Sequence, residues 1–107
     1  MIWLSGEVKS PPFSKTTRLE TGYLLRRLQK GEKLEMPHSK SINDVCRRCH
    51  ELRVQDEGVN WRIIYRIDDD AIVIGEVFAK QTTKIPGRVI KTCKRRFRQY
   101  DLLAKAD

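Results

Sequence analysis

The clearest pattern of apolar and polar positions runs from Trp61 to Lys80, WRIIYRIDDDAIVIGEVFAK. Trp61, Ile63, Tyr65 and Ile67 alternate with Asn60, Arg62, Ile64 and Arg66, and period two places the two sets on opposite faces of a strand. Asp68-Asp69-Asp70 is a polar break of hairpin length. Ile72 to Ala79 is then almost continuously apolar, the pattern of a strand covered on both faces. The first strand thus carries arginines on a face that its neighbour does not fill with charge. That asymmetry points to an anionic ligand.

Upstream, Val45 to Val54 reads as a strand and Gln55-Asp56-Glu57-Gly58 as the turn into Val59 to Ile67. With Ile72 to Ala79 this predicts a three-stranded antiparallel meander. The period changes to helical at Leu19, Tyr23, Leu24 and Leu28, with Arg18, Arg26, Arg27 and Lys30 on the other side. Thr17-Arg18-Leu19-Glu20 has the form of a capping box, and Ser14 is an alternative cap one turn earlier. Gly31 supplies a left-handed stop, and residues 31–44 read as a loop. Pro86 is placed to open a second helix, with Thr83 as an earlier start. Its apolar stripe is Val89, Cys93, Phe97 and Tyr100, with Ile90 beside it. Ile2-Trp3-Leu4 and Glu7-Val8 suit a short edge strand that ends at Pro11-Pro12. The order is strand, helix, three strands, helix. This predicts an α+β domain: a three-stranded meander plus an N-terminal strand, with helices against one face of the sheet.

The length of 107 residues fits a single domain spanning 1–107. No run of about 18 apolar residues is present, and Met1 to Leu4 is too short for a signal peptide. A cytoplasmic protein with no membrane partner is expected. The formal charge is +8, and its location matters more than its size. Between Lys80 and Tyr100 there are eight cations and no acid, whereas the rest of the chain carries 14 of each. The whole excess lies in one element. It suits a polyanion or an acidic protein partner, and the plain alternative is a solvated helix face.

Cys46-Arg47-Arg48-Cys49-His50 spells the string for covalent haem attachment. That reading is rejected, because such haem is attached outside the cytoplasm. On a strand, moreover, Cys46 and Cys49 would point to opposite faces. Zinc would need a fourth ligand from Cys93, His38 or His50, and none has partner spacing. Three free thiols and no metal or other cofactor are the expectation.

No serine, cysteine and histidine set has a nucleophile signature. On the Val45–Val54 strand, however, Glu51 and Arg53 share a face, and an antiparallel neighbour can bring Arg53 near Arg62 and Arg66. Like charges opposed across a sheet destabilise it, so clustered arginines suggest a bound anion. Lys80 and Lys84 could close the rim. The alternative is that Glu51 simply forms a cross-strand ion pair with Arg62 or Arg53.

Several runs together resemble the RelE/ParE toxin superfamily, and more closely its HigB-like, phage-derived branch. They are Glu51-Leu52-Arg53, then Trp61-Arg62-Ile63-Ile64-Tyr65, then Phe78-Ala79-Lys80-Gln81-Thr82-Thr83-Lys84-Ile85-Pro86. The Met36-Pro37-His38-Ser39 loop and Lys94-Arg95-Arg96-Phe97 fit the same branch. The resemblance covers nearly the whole chain and rests on the runs occurring in order.

It implies a RelE-like fold, a curved antiparallel sheet packed on helices, and the toxin of a type II toxin–antitoxin pair. The implied activity is a ribosome-dependent mRNA endoribonuclease that needs no metal. The implied partners are mRNA on the ribosome and a cognate antitoxin, often a helix-turn-helix protein. The chemistry would be attack of a ribose 2′-hydroxyl on the adjacent phosphate. Arg62 matches the family's sheet arginine for phosphate stabilisation, and Arg53 and Lys80 follow as further cations. Glu51 or His50 would accept the proton, and Tyr100 would stack or relay one. Arg66, Lys84, Arg88, Lys91 and Arg95 complete the RNA-binding set. Glu51 stands where some members carry a strand lysine, and Gln81 where some carry an arginine, so the acid and base stay open. The superfamily also includes gyrase inhibitors, and a non-catalytic basic nucleic-acid binder is a further alternative.

Overall fold

A computed structural model describes residues 2–4, 13–35, 38–81 and 84–104 of the chain. Glu7-Val8, Pro11-Pro12, Met36-Pro37 and Thr82-Thr83, which carry parts of the reading above, lie outside the described residues. The elements are β1 (Ile2–Trp3), α1 (Lys15–Gln29), β2 (Ser39–Ser41), β3 (Cys49–Asp56), β4 (Val59–Ile67), β5 (Ile72–Ala79) and α2 (Gly87–Ala104). They build an α+β domain with one sheet in the order β1-β5-β4-β3-β2. Strands β2 to β5 are antiparallel to their neighbours, and β1 pairs in parallel with β5 at the edge. The antiparallel meander of the sequence reading is present. No helix among the described residues is long and apolar enough to cross a membrane.

The turn between β3 and β4 is a two-residue connection. Glu57 and Gly58 both take positive φ, 49° and 81°, as a tight right-twisting hairpin requires. Helix α1 begins at Ser14, whose Oγ accepts the Thr17 N–H at 3.3 Å. Ser14 N–H also donates to Asp56 Oδ2 at 2.6 Å, tying the helix start to the end of β3. That link selects Ser14 over the Thr17 capping box, and Thr17 lies buried inside the helix. The stop is as read: Gly31 sits at φ +88°, Gly31 N–H donates to Leu28 O, and Glu32 N–H donates to Arg27 O. These two bonds form a Schellman motif.

Three expectations are corrected. The helices do not share one face. Helix α1 packs Leu25 and Leu28 over Leu52, Val54, Ile63, Tyr65 and Ile74. Helix α2 packs Val89, Cys93 and Phe97 over Cys49, Ile64, Val73 and Phe78. The reason lies in the apolar run of β5, whose alternate residues are buried on both sides and need cover on both. The buried stripe of α1 is Thr17, Thr21, Leu25 and Leu28, whereas Leu19 and Tyr23 are 63% and 57% exposed. Finally, β3 starts at Cys49 rather than Val45, and Ser39–Ser41, read as loop, forms the edge strand β2.

The segment between β2 and β3 is a compact reversal, with Ile42 N–H donating to Cys49 O and Cys49 N–H donating to Cys46 O. It brings Cys46 and Cys49 into a disulfide, which replaces the expected free thiols. The opposite-faces argument fails because Cys46 is on a turn, not a strand. Cys93 is the remaining free thiol, and burial in the second core, then Glu76, push it up to about 12.

Strand β5 carries one extra residue where its register with β4 shifts beside Ile64 and Tyr65. Ile64 faces Glu76 and Tyr65 faces Ile74, so Gly75 is the bulged residue. A Cβ on Gly75 would stand 2.8 Å from Phe97 Cζ and 3.2 Å from Cys93 Sγ. Helix α2 approaches the sheet closely only because that atom is missing. Gly75→Ala is therefore expected to lower stability by about 1–3 kcal/mol. Chemical denaturation measures this, and Phe97→Leu in the same chain should recover part of the loss.

Candidate functional site

Strands β3, β4 and the end of β5 each deliver charge to the face that α2 covers. Residue Arg53 pairs directly opposite Arg62, and Glu51 opposite Ile64. The Lys80 N–H donates to Asn60 O at 2.7 Å, which carries the ladder one residue past β5 and fixes where the lysine emerges. Three cationic side chains converge on one oxygen of Glu51. Glu51 Oε1 lies 3.7 Å from Lys80 Nζ, 3.8 Å from Arg62 Nε and 3.9 Å from Arg53 Nε.

These ion pairs are too long to be hydrogen bonds. Glu51 is only 2% exposed, yet its Oε2 has no hydrogen-bond partner among the described residues. The Arg62 Nε has none either, although its Nη1 donates to Trp61 O at 2.9 Å. Burial pulls Arg62 below the usual guanidinium value; Glu51 opposes that shift and Arg53 adds to it. A site of this kind is one carboxylate holding three cations, with polar atoms left over. It attracts anions.

The site opens on a cavity of about 530 Å³ lined by Lys40, Glu51, Lys80, Lys84, Ile85 and Ile90, with the 41–44 segment as its wall. Residues Arg53 and Arg62 also line a smaller groove of about 210 Å³ with Gln55 and Asn60. The lysine of β2 was missed from the sequence because Ser39-Lys40-Ser41 is too short and polar to signal a strand. The register that puts Lys40 opposite Glu51 belongs to the fold alone.

Other sequence candidates lie elsewhere. The His50 ring stacks on Tyr65 at 5.3 Å on the face covered by α1, opposite to Glu51. It follows from strand alternation that His50 and Glu51 cannot serve one reacting atom. Arg66 is 4% exposed and fully engaged. It binds Asp68 through Nε and Nη2, both at 2.8 Å, and Asp101 through Nη1 and Nη2 at 3.0 and 2.7 Å. Burial opposes its charge, but the two carboxylates outweigh that and raise its pKa. The guanidinium also lies over Phe97 and near Tyr100. Arg66 clamps β4 to the end of α2, so its expected place on an open anion-facing surface is corrected. Tyr100 stands with it, half-buried, at that end of the sheet. Arg88, Lys91 and Arg95 are exposed on α2 at helical spacing, and Lys84 lines the cavity rim.

The anion deficit can be measured. Glu51→Gln removes the only negative charge among the four side chains and is expected to cost about 2–4 kcal/mol at low salt. Inorganic phosphate should restore stability as it fills the cation cluster. A melting curve with no greater response to phosphate than to chloride would refute an anion site here. His50 provides a second measurement. Burial lowers its pKa below 6.5, so its contribution to stability is present above that value and is lost as pH falls through the folded pKa. Unfolding free energies from pH 7.5 down to 5 should show this slope, and His50→Asn should flatten it.

A family model described as "Phage derived protein Gp49-like (DUF891)" matches residues 12–98. Searches of curated proteins and of solved structures returned no match.

Proposed function

The chain belongs to the phage-derived Gp49-like family, a toxin-like family, and we propose that it is the toxin of a type II toxin–antitoxin pair, an endoribonuclease that cuts mRNA on the ribosome. The observation that carries this reading is the cation cluster: one buried carboxylate within 3.7–3.9 Å of Lys80, Arg62 and Arg53, with Glu51 Oε2 and Arg62 Nε unpartnered among the described residues, beside a cavity of about 530 Å³. The RelE-like character of the fold belongs to the same proposal. It is supported by the antiparallel meander with its strand arginine.

Cleavage begins when a ribose 2′-oxygen attacks the adjacent phosphorus. The 2′ proton must leave, and Glu51 is the base, since its Oε2 has no competing hydrogen bond among the described residues. The phosphorane gains negative charge on its equatorial oxygens. Arg62, whose Nε is likewise unpartnered among the described residues, and Arg53 beside it neutralise that charge. The P–O5′ bond then breaks, and the leaving oxygen takes a proton from Lys80. The products are a 2′,3′-cyclic phosphate and a free 5′-hydroxyl. Each catalytic group is a side chain of this chain, while Arg88, Lys91 and Arg95 on α2 offer charge to ribosomal phosphates. A cognate antitoxin, a helix-turn-helix protein in this reading, holds the toxin inactive.

Controlled expression in a bacterium tests the proposal, with mapping of mRNA 5′ ends on and off ribosomes. New 5′-hydroxyl ends inside translated codons are expected. Because Arg62 is only 9% exposed, Arg62→Gln is a better variant than alanine, and circular dichroism checks its folding. It should cut about 10²–10³-fold more slowly, as for loss of one transition-state donor. Full activity in a folded Arg62→Gln would overturn the assignment. Growth arrest beside intact transcripts would replace the nuclease with a gyrase-type inhibitor, and normal growth would leave a basic binding module.

A further inference from the structure

A second cavity, of about 520 Å³, lies on the α1 side of the sheet and is lined by Lys33, Leu34, Ser39, Lys40, Ser41, His50 and Tyr65, among others. Its size falls within the range of small-ligand sites, about 300–1,000 Å³. The base is aromatic. The His50 ring is stacked on Tyr65 with 20° between the planes. Tyr65 is fully buried and its hydroxyl is held by Ser39 Oγ at 2.5 Å, so the platform beneath the imidazole is rigid. Ser41 Oγ lies 3.5 Å from His50 Nδ1 and steadies the ring from the side. None of these groups takes part in the chemistry described above.

The position of β2 links this cavity to the first. Lys40 and Ser41 line both cavities. In register, Lys40 is opposite Glu51 and Ser41 is opposite His50. Consecutive residues of one strand point to opposite faces, so β2 delivers Lys40 to the first cavity and Ser39 and Ser41 to the second. It is also the last strand of the sheet. An oligonucleotide that leaves the Glu51 site therefore crosses only one strand edge to reach the His50 side.

We propose that the His50–Tyr65 cavity binds the base of a ribonucleotide next to the cleaved one, with the base on the His50 ring and its phosphate near Lys33. This rests on the reading of the Glu51 site as one that takes RNA, and it assigns the second cavity to choosing which sequence is cut. Unpaired RNA bases are commonly recognised by stacking on histidine and other aromatic rings. Burial keeps His50 mainly neutral at pH 7, so the contact works by stacking and ring hydrogen bonds and is less dependent on salt than the phosphate contacts.

The test is an NMR titration of the full-length, isotopically labelled chain with 5′-adenosine and 5′-uridine monophosphates, against inorganic phosphate. Each nucleotide should move the His50 ring signals and the Ser39 and Tyr65 amides, and phosphate alone should not. Affinity for the better nucleotide should fall about tenfold in His50→Ala and return in His50→Phe, which keeps a stacking ring. Nucleotide shifts identical to those of phosphate would overturn the proposal, as would equal affinity in a folded His50→Ala chain. Nucleotide binding in a chain that cuts no RNA would sustain this cavity while removing the nuclease reading. An active nuclease whose His50→Ala variant keeps the parent's KM and cleavage pattern would do the reverse.

Discussion

An arginine buried on a sheet face obliges the fold to bring negative charge to it, and β4 places two such arginines on one face, four residues apart. They meet that demand differently. Arg66 receives two carboxylates, Asp68 from the next turn and Asp101 from α2, with four hydrogen bonds of 2.7–3.0 Å. Arg62 shares one carboxylate oxygen with two other cations, and all three lie 3.7–3.9 Å from it. The first arginine is structural: it fastens the last turns of α2 to the sheet. The second keeps its Nε without a hydrogen-bond partner among the described residues, beside a groove. Between them on that face lies Ile64, part of the apolar cluster under α2.

That difference could not be read from the chain. Period two placed Arg62 and Arg66 on the same face correctly, and in sequence they look equivalent. Asp68 is near enough to suggest a partner for Arg66, but Asp101 comes 35 residues later on another element, and only the docking of α2 brings it there. The same limit explains the helix faces. Leu19, Tyr23, Leu24 and Leu28 fit a helical stripe, but Leu24, Leu25 and Leu28 fit the sheet better. Two threonines complete that face because Ser14 is tied to Asp56. Local pattern gives the period, whereas tertiary contact chooses the phase.

The elements that were legible are those with redundant signals. Strand β4 combines alternation, β-branched residues and a polar turn on one side. The α1 stop has Gly31 at the position where a left-handed residue is needed. The β2–β3 region has neither kind of support. Val45 is apolar because it plugs the second core from a turn, along with Ile42, and not because it continues a strand. Reading it as strand also misplaced the cysteines, since a three-residue spacing that separates two thiols on a strand joins them across a tight reversal. A misplaced strand start thus hid the disulfide, while the short polar run Ser39-Lys40-Ser41 hid the edge strand and Lys40.

The reversal between β2 and β3 is what gives the sheet two usable faces at one edge. Without β2, the polar backbone of β3 would itself be the edge. With β2 paired, Lys40 covers the Glu51 side and Ser41 the His50 side, and the 42–49 segment, which carries the Cys46–Cys49 disulfide, folds back onto the second core. A short strand of three residues achieves this because strand alternation needs only two neighbours to address two faces. The cation cluster and the aromatic cavity are separated by a single layer of backbone, so a substrate that engages both must bend around the strand. On the proposed reading, selectivity at this edge is a matter of chain flexibility as much as of contacts. A single strand can make that bend and a duplex cannot.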